Sequence, residues 1–280
     1  MPLFFSQNIQ YGPPQRLSSW RKIAIGTWNT VGDPSVYGMM DLDASAMLQY
    51  LEGERTRTGE RITATHFVGK AIAETIRRHP DINSVLRFGK LYPRKTIDIF
   101  YQVASDLEGQ DLSGVTARNV DTKSVSELAR EMSLSVDKVK KGKDASYKKM
   151  KNMMSLLPGF LAKYLIQFSG FIMYGLNIWL PLFGVPKDSF GSAMVTNIGS
   201  LGLETAFVPL VPYCRIPLLI AVGAIKDRAE VRDGKVVVLP LIRLCVTFDH
   251  RVIDGVHASH MCQTIHKIFE NPKKELSVLS

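Results

Sequence analysis

Cysteine is scarce in this chain of 280 residues, and the three copies that occur argue against two kinds of protein. Cys214, Cys245 and Cys262 stand at unrelated spacings within apolar stretches, so they predict neither a disulfide framework nor a cysteine-based metal site. The residues after Met1 lack the charged and then apolar leader of an exported protein, so no secretory signal is expected. The sequence therefore favours a cytoplasmic protein.

The formal net charge is +9, and much of the excess of basic residues is concentrated in one short stretch. Seven lysines lie between residues 138 and 151, where Asp144 is the counter-charge. A nucleic-acid-binding surface carries its basic residues in a recognition pattern, so no nucleic acid partner is predicted. Taken alone, such a run is typical of a solvated helix face.

The histidines do not predict a metal site. His257 and His260 lie three residues apart on a predicted helix, but no acidic or cysteine partner stands at a suitable spacing. We interpret these two and His266 as solvated or helix-capping side chains, and His66 and His79 as structural. No metal cofactor is expected.

Hydrophobic periodicity predicts a mixture of helices and strands. Apolar residues at helical spacing predict a helix over 62–78 that ends before Pro80, and another helix after Gly255. Ser124 and Glu127 have the spacing of a capping box, which predicts a helix start. Strands and hairpins are predicted at 86–91 around Gly89, 97–104, 218–225, 229–239 around Asp233 and Gly234, and 241–247. A sheet with helices packed against it is expected.

The segment from Thr247 to Gly255 places a histidine and an aspartate four residues apart where a strand gives way to a helix. A histidine with a fixed tautomer can take a proton from a thiol or hydroxyl near neutral pH, so His250 is a candidate base. Asp254 is a short carboxylate in a tight turn, which more often anchors its own loop. The simpler alternative is a junction histidine held by backbone hydrogen bonds.

The sequence Asp-His-Arg-Val-Ile-Asp-Gly at 249–255 resembles the signature of the catalytic domain of dihydrolipoamide acyltransferases from 2-oxo acid dehydrogenase complexes. It is more distantly similar to chloramphenicol acetyltransferase. The resemblance covers nearly the whole chain and continues, in order, at residues 21–24, 70–73, 79–83, 195–199 and 231–236. It implies an α/β fold, a two-layer sandwich of a mixed sheet with helices. We expect an N-terminal arm over 1–14 and one catalytic domain over 15–280.

The resemblance also implies the site. His250 would be the general base, Asp254 would order its loop, and the hydroxyl of Thr196 would stabilise the oxyanion. The predicted substrate-binding residues are Arg21, Asn197, Gly199 and Arg251. The family's site lies between subunits of a trimer, so a homotrimer is expected, with coenzyme A as a substrate. The lipoyl group would be supplied by another protein, because lipoyl and subunit-binding domains are not recognisable here.

A hydrophobic segment over 152–186 interrupts the resemblance and follows the lysine run. No charged residue occurs from Tyr164 to Pro186, a length close to that of a membrane-spanning helix, although prolines and glycines disfavour a simple span. Three interpretations stay open. Residues 138–186 could rest on a membrane surface, the segment could pack between subunits, or it could cap a pocket for an acyl chain. The first two are favoured over the third.

The unrecognised lipoyl and subunit-binding domains and the insertion over 152–186 suggest two alternatives to a dihydrolipoamide acyltransferase. The chain could be a non-catalytic trimeric scaffold or membrane-associated assembly protein, which would explain the unusual insertion. It could also keep the chemistry and transfer the acyl group to a small alcohol or amine. The matching positions of Thr196, His250 and Asp254 favour an enzyme over a scaffold.

Overall fold

The chain forms a mixed sheet with its main helices packed on one face. A computed structural model describes residues 6–16, 34–104, 112–140, 159–179 and 186–277. The strands are β1 Ser6–Gln7, β2 Ser35–Asp43, β3 Ser84–Arg87, β4 Lys90–Pro93, β5 Ile99–Ala104, β6 Leu112–Ala117, β7 Ile178–Trp179, β8 Ala193–Asn197, β9 Leu218–Val222, β10 Lys226–Arg232 and β11 Lys235–Asp249. The helices are α1 Ser45–Thr58, α2 Ala64–Arg78, α3 Val125–Lys140, α4 Gly159–Gly170, α5 Gly255–Glu270 and α6 Pro272–Glu275.

Within the described ranges, seven strands form the main sheet in the order β10-β11-β9-β8-β5-β6, with β2 also paired to β11. The central pairs β5–β8 and β8–β9 are parallel, and the pairs of β11 with β9, β2 and β10 are antiparallel. The helices α1, α2, α3 and α5 pack on one face. The predicted α/β architecture is confirmed.

The predicted helix over 62–78 is α2, and its ends follow from local chemistry. Thr63 and His66 form a capping box, in which the His66 Nδ1 accepts the Thr63 N–H at 3.1 Å. The apolar face of α2 lies in the main core, where the rings of Phe67 and Phe269 are 5.1 Å apart. Pro80 follows and cannot continue the helix.

The capping box at the start of α3 is also confirmed. Glu127 N–H donates to the Ser124 Oγ at 3.2 Å, and the Ser124 N–H donates to the Glu127 carboxylate at 2.8 Å. The two reciprocal hydrogen bonds satisfy donors that the helix itself cannot pair.

One strand boundary was predicted wrongly. The sequence indicated two strands separated at Pro240, whereas β11 runs without interruption from Lys235 to Asp249. Proline is tolerated there because Pro240 faces Asp227 across the pairing with β10 and its carbonyl accepts the Ala44 N–H at 2.8 Å. The Asp233–Gly234 hairpin is confirmed, since both residues adopt positive φ, at 51° and 74°.

The N-terminal arm expected over 1–14 is described from residue 6, and there it is partly regular and packs within its own chain. Strand β1 pairs with β7, and the side chain of Asn177 exchanges two hydrogen bonds with the backbone of Ile9, at 2.7 and 2.8 Å. The arm therefore packs against the hydrophobic segment.

In the hydrophobic segment, the described residues 159–179 form α4, a π-helical turn over Phe171–Gly175, and β7. In the ranges that the structure describes, no helix is long and apolar enough to cross a membrane.

Candidate active site

His250 stands directly after β11, and its backbone N–H donates to the Pro34 carbonyl at 2.9 Å. Its Nδ1 lies 3.0 Å from the carbonyl oxygen of Ile253. A carbonyl oxygen can only accept, so Nδ1 must carry the proton of the neutral ring. Nε2 is then the basic nitrogen, which is the tautomer that a general base requires.

Asp249 closes the turn that carries His250. Asp249 is 8% exposed, and its carboxylate accepts hydrogen bonds from Arg251: from the backbone N–H at 2.9 Å, from Nε at 3.0 Å and from Nη2 at 2.7 Å. Its carbonyl accepts the N–H groups of Val252 and Ile253, both at 2.9 Å. The guanidinium of Arg251, predicted to bind substrate, is thus held against the turn by the buried carboxylate.

Asp254 is the N-cap of α5. One of its carboxylate oxygens accepts the N–H groups of Val256 and His257, both at 3.1 Å. The same oxygen lies 2.6 Å from the His257 Nδ1, while the His257 Nε2 lies 2.8 Å from the Asp81 carboxylate.

His257 has two acidic partners, Asp254 and Asp81, that were not predicted from the sequence. Asp254 and His257 have capping-box spacing, and that signal in the sequence could have revealed the pair. Asp81 could not have been found this way, because it reaches His257 only through the tertiary fold. Among the described residues, no cluster of three or more histidine, cysteine or acidic side chains could hold a metal ion.

Thr196 lies on β8 at the other end of the sheet. The register aligns Thr196 with Ala221 of β9, whereas Leu218 of β9 aligns with Phe248 of β11. Extended by two residues, the same register puts His250 level with residue 216, whereas Thr196 is level with residue 221. The two levels are five residues apart along the strand direction. At about 3.3 Å per residue this is roughly 16 Å along the strands, with two strand spacings of about 4.8 Å across them. One chain does not bring Thr196 to His250.

Contacts of Asn197 and Gly199 fix the surroundings of Thr196. The Asn197 Nδ2 donates to the Thr65 hydroxyl at 2.8 Å, and its Oδ1 accepts the Ser200 N–H at 3.0 Å. A Cβ on Gly199 would lie 2.7 Å from the Ala224 backbone nitrogen. Only glycine lets this turn approach the end of β9 so closely.

Arg21, the lysine run and the cysteines are the other residues considered from the sequence. Arg21 and most of the lysine run lie outside the described residues. The cysteines are free thiols, and burial raises the pKa of Cys214 to about 12. A thiol that stays protonated at neutral pH is a poor nucleophile, which disfavours a covalent intermediate on Cys214.

A family model described as 2-oxoacid dehydrogenases acyltransferase (catalytic domain) matches residues 25–153 and 187–277. The chain belongs to this family. The matched residues include the strands at both ends of the main sheet. The residues between 153 and 187, which are not matched, fall within the hydrophobic segment. The predicted family and fold are therefore confirmed.

Two curated relatives of this acyltransferase domain come from Bacillus subtilis. The chain is 25% identical over 222 residues to the dihydrolipoyllysine-residue acetyltransferase component of the pyruvate dehydrogenase complex, covering 77% of this chain and 39% of that protein. It is 22% identical over 249 residues to the lipoamide acyltransferase component of the branched-chain alpha-keto acid dehydrogenase complex, covering 88% and 49%. The chain thus spans less than half the length of these two relatives.

Solved structures agree on the fold. A probable dihydrolipoamide acetyltransferase from Listeria monocytogenes superposes with a TM-score of 0.66 at 20% identity, covering 95% of this chain and 97% of that one. The dihydrolipoamide acetyltransferase of Azotobacter vinelandii superposes with a TM-score of 0.65 at 21% identity, covering 96% and 94%.

Proposed function

We propose that the chain is an acyltransferase that moves an acyl group between coenzyme A and a dihydrolipoyl thiol, with His250 as the general base. The observation that carries the proposal is the contact of the His250 Nδ1 with the Ile253 carbonyl. This contact leaves Nε2 as the basic nitrogen, and the Asp249–Arg251 pair holds the turn that presents it.

The chemistry needs one base and one oxyanion donor. The His250 Nε2 takes the proton of the attacking thiol, and the thiolate forms a bond to the carbonyl carbon of the acyl thioester. The tetrahedral oxyanion accepts a hydrogen bond from the Thr196 hydroxyl. Collapse breaks the original carbon–sulfur bond, and the leaving thiolate takes the proton back from His250. No covalent acyl-enzyme is required.

The oxyanion donor comes from a neighbouring subunit in this proposal. The sheet register supports it, because Thr196 and His250 of one chain lie too far apart to act on one carbonyl group. A cyclic homotrimer would place the Thr196 end of each chain against the His250 end of the next, giving three equivalent sites.

A named relative adds support for the residue types. In the Azotobacter vinelandii enzyme a serine, a histidine and an asparagine four residues after that histidine have been investigated for roles in the catalytic mechanism. Here a threonine, His250 and Asp254 stand in the same order. We assign Asp254 and Arg251 to positioning the turn, and Asn197 and Gly199 to positioning Thr196 next to the substrate.

The partners and location follow from the same proposal. Coenzyme A is a substrate, the lipoyl group is carried by another protein, and no resident metal is used. Residues 1–14 form an arm and 15–280 the catalytic domain, interrupted by the insertion over 152–186. A cytoplasmic location, with residues 138–186 near a membrane surface, stays a prediction.

The test is an acyl-transfer assay with acetyl-coenzyme A and matched acceptors. Dihydrolipoamide should be acetylated, whereas small alcohols and amines of similar size should react far more slowly. His250→Gln should lower the rate by about 10²–10⁴-fold, the usual worth of a general base. His266→Gln, an exposed histidine on α5, is the control. Wild-type turnover in His250→Gln would rule out the mechanism, and preferred acetylation of an alcohol or amine would reassign the acceptor.

A further inference from the structure

A cleft of about 780 Å³ lies outside the proposed catalytic residues, where part of the segment that the family model does not match meets elements that it does match. Its walls come from the end of α4, the π-helical turn, the tip of the β3–β4 hairpin and the segment 211–215. The volume is within the range of small-molecule sites. A π-helical turn is itself a feature that occurs frequently at functional sites.

The walls of the cleft are apolar and aromatic. The rings of Phe88 and Phe171 lie 6.5 Å apart on one side, and those of Tyr174 and Tyr213 lie 6.0 Å apart on another. Ile166 lines the cleft and remains 40% exposed. A surface of this kind gains free energy when it covers a hydrocarbon chain.

The charged residues that line the cleft are both cations. Arg87 and Arg215 line it together with no acidic residue, and in the described ranges neither forms an ion pair with a carboxylate. The Arg87 guanidinium lies over the rings of Tyr11, Phe88 and Tyr92, 5.5 to 5.8 Å from their centroids, and its Nε donates to the Gly175 carbonyl. These contacts hold one positive charge in place beside an apolar surface, which favours a ligand that bears a negative charge.

Buried hydrogen-bond donors lie deeper at the same place. Tyr174 lines the cleft, is 2% exposed, and its hydroxyl has no hydrogen-bond partner among the described residues. Burial raises the pKa of Tyr174, so this hydroxyl stays a donor. The neighbouring Arg94, behind the lining of the cleft, is buried and pairs through Nη1 with the Asp188 carboxylate, while its Nε and Nη2 have no partner within the described structure. A buried donor without an acceptor is unfavourable, and a nearby anionic group reduces that cost.

We propose that this cleft binds a single-chain amphiphilic carboxylate, such as a medium-chain fatty acid. The hydrocarbon chain lies between the aromatic walls, and the carboxylate lies against Arg87 and Arg215. Within one chain, none of the residues that line the cleft belongs to the His250 turn or the Thr196 strand.

Equilibrium dialysis with labelled decanoate, below its micelle concentration, tests the proposal on the full chain. Saturable binding with about one equivalent is expected. Arg215→Gln, which changes an exposed side chain, should weaken binding about tenfold or more, and Ile166→Glu should do the same by placing a negative charge in the cleft. Arg61→Gln is the matched control, since Arg61 is an exposed arginine at the start of α2 and should leave the affinity unchanged.

A second ligand separates charge recognition from apolar partition. Decanol has the same chain without the charge and should bind about tenfold more weakly than decanoate. Equal affinity for the two ligands, or equal affinity in wild type and Arg215→Gln, would overturn the proposal. Flotation with phosphatidylglycerol vesicles without any binding of monomeric decanoate would also overturn it, because the cleft would then recognise a membrane surface.

Discussion

Thr196 and His250 lie at opposite ends of one sheet, separated by five residue steps along the strands and by two strand spacings. The hydrogen-bonded register fixes this separation, because sliding one strand by a single residue would turn its buried side chains to the other face. If both residues serve one reaction, they must therefore come from different chains.

Subunit complementation tests this arrangement. His250→Ala and Thr196→Val should each be nearly inactive alone. When the two variants are unfolded together and refolded in equal amounts, every mixed cyclic trimer contains one intact site of three. About three quarters of the trimers are mixed, so random assembly should restore about one quarter of wild-type activity.

The complementation control is a mixture of His250→Ala with the chain that carries both substitutions. This mixture contains no His250 and should stay inactive. Failure of the first mixture to regain activity, despite trimers in the ultracentrifuge, would show that the base and the donor do not come from different chains.

The capping role of Asp254 predicts a difference between two substitutions. Asp254→Ala removes the acceptor for the Val256 and His257 N–H groups and should cost about 1 kcal/mol of unfolding free energy. Asp254→Asn keeps an acceptor oxygen and should cost much less. Urea unfolding at a fixed protein concentration measures both. An equal loss of unfolding free energy in the two variants would show that the negative charge of Asp254 next to His257 stabilises the fold more than the capping hydrogen bonds do.

Local patterns in the sequence predicted the elements of this site better than its assembly. The turn around His250, the cap at Ser124 and the Asp233–Gly234 hairpin each depend on residues within a few positions, so spacing alone revealed them. The contact of Asp81 with His257, and the distance between Thr196 and His250, depend on the strand order of the whole sheet. No periodicity in one sequence encodes that order.

Continuity of β11 through Pro240 shows a related limit. A proline disfavours a central strand, and the sequence accordingly predicted two strands, which end and begin on either side of Pro240. The neighbouring pairs with β10 and β2 preserve the extended conformation, and Pro240 still contributes its carbonyl to Ala44. Tertiary pairing therefore outweighed the local signal.

The close approach at Gly199 predicts a specific loss of stability. Gly199→Ala places a methyl group within 2.8 Å of backbone atoms of residues 223 and 224, which cannot move like a flexible side chain. We expect a loss of about 1–3 kcal/mol in unfolding free energy. Gly38→Ala is the control, because a Cβ there meets nothing within 4 Å. Calorimetry that finds both variants equally stable would contradict the assigned contact.

His66 predicts that the fold weakens in acid. Burial, aided by the nearby charge of Arg61, lowers the pKa of His66 from 6.5 to about 4. The unfolded chain therefore binds more protons between these values, so stability is present above about pH 6.5 and is lost as pH falls towards 4. From pH 7 to 5 this group alone should remove at most about 2 kcal/mol.

A matched variant isolates the contribution of His66. Glutamine at this position can still accept the Thr63 N–H in the capping box but does not titrate. Urea unfolding at pH 7 and pH 5 should therefore show a smaller acid-dependent loss for His66→Gln than for wild type. An identical loss in both proteins would assign the acid sensitivity to other groups.

The tight contacts at Gly199 and Gly223 determine which substitutions this end of the sheet tolerates. A Cβ on Gly223 would lie 2.4 Å from the Glu204 carbonyl, so this end of the sheet is held by main chain against main chain. The position of the Thr196 hydroxyl then depends little on the identity of the surrounding side chains. Those side chains can be substituted without moving the hydroxyl that we propose as the oxyanion donor.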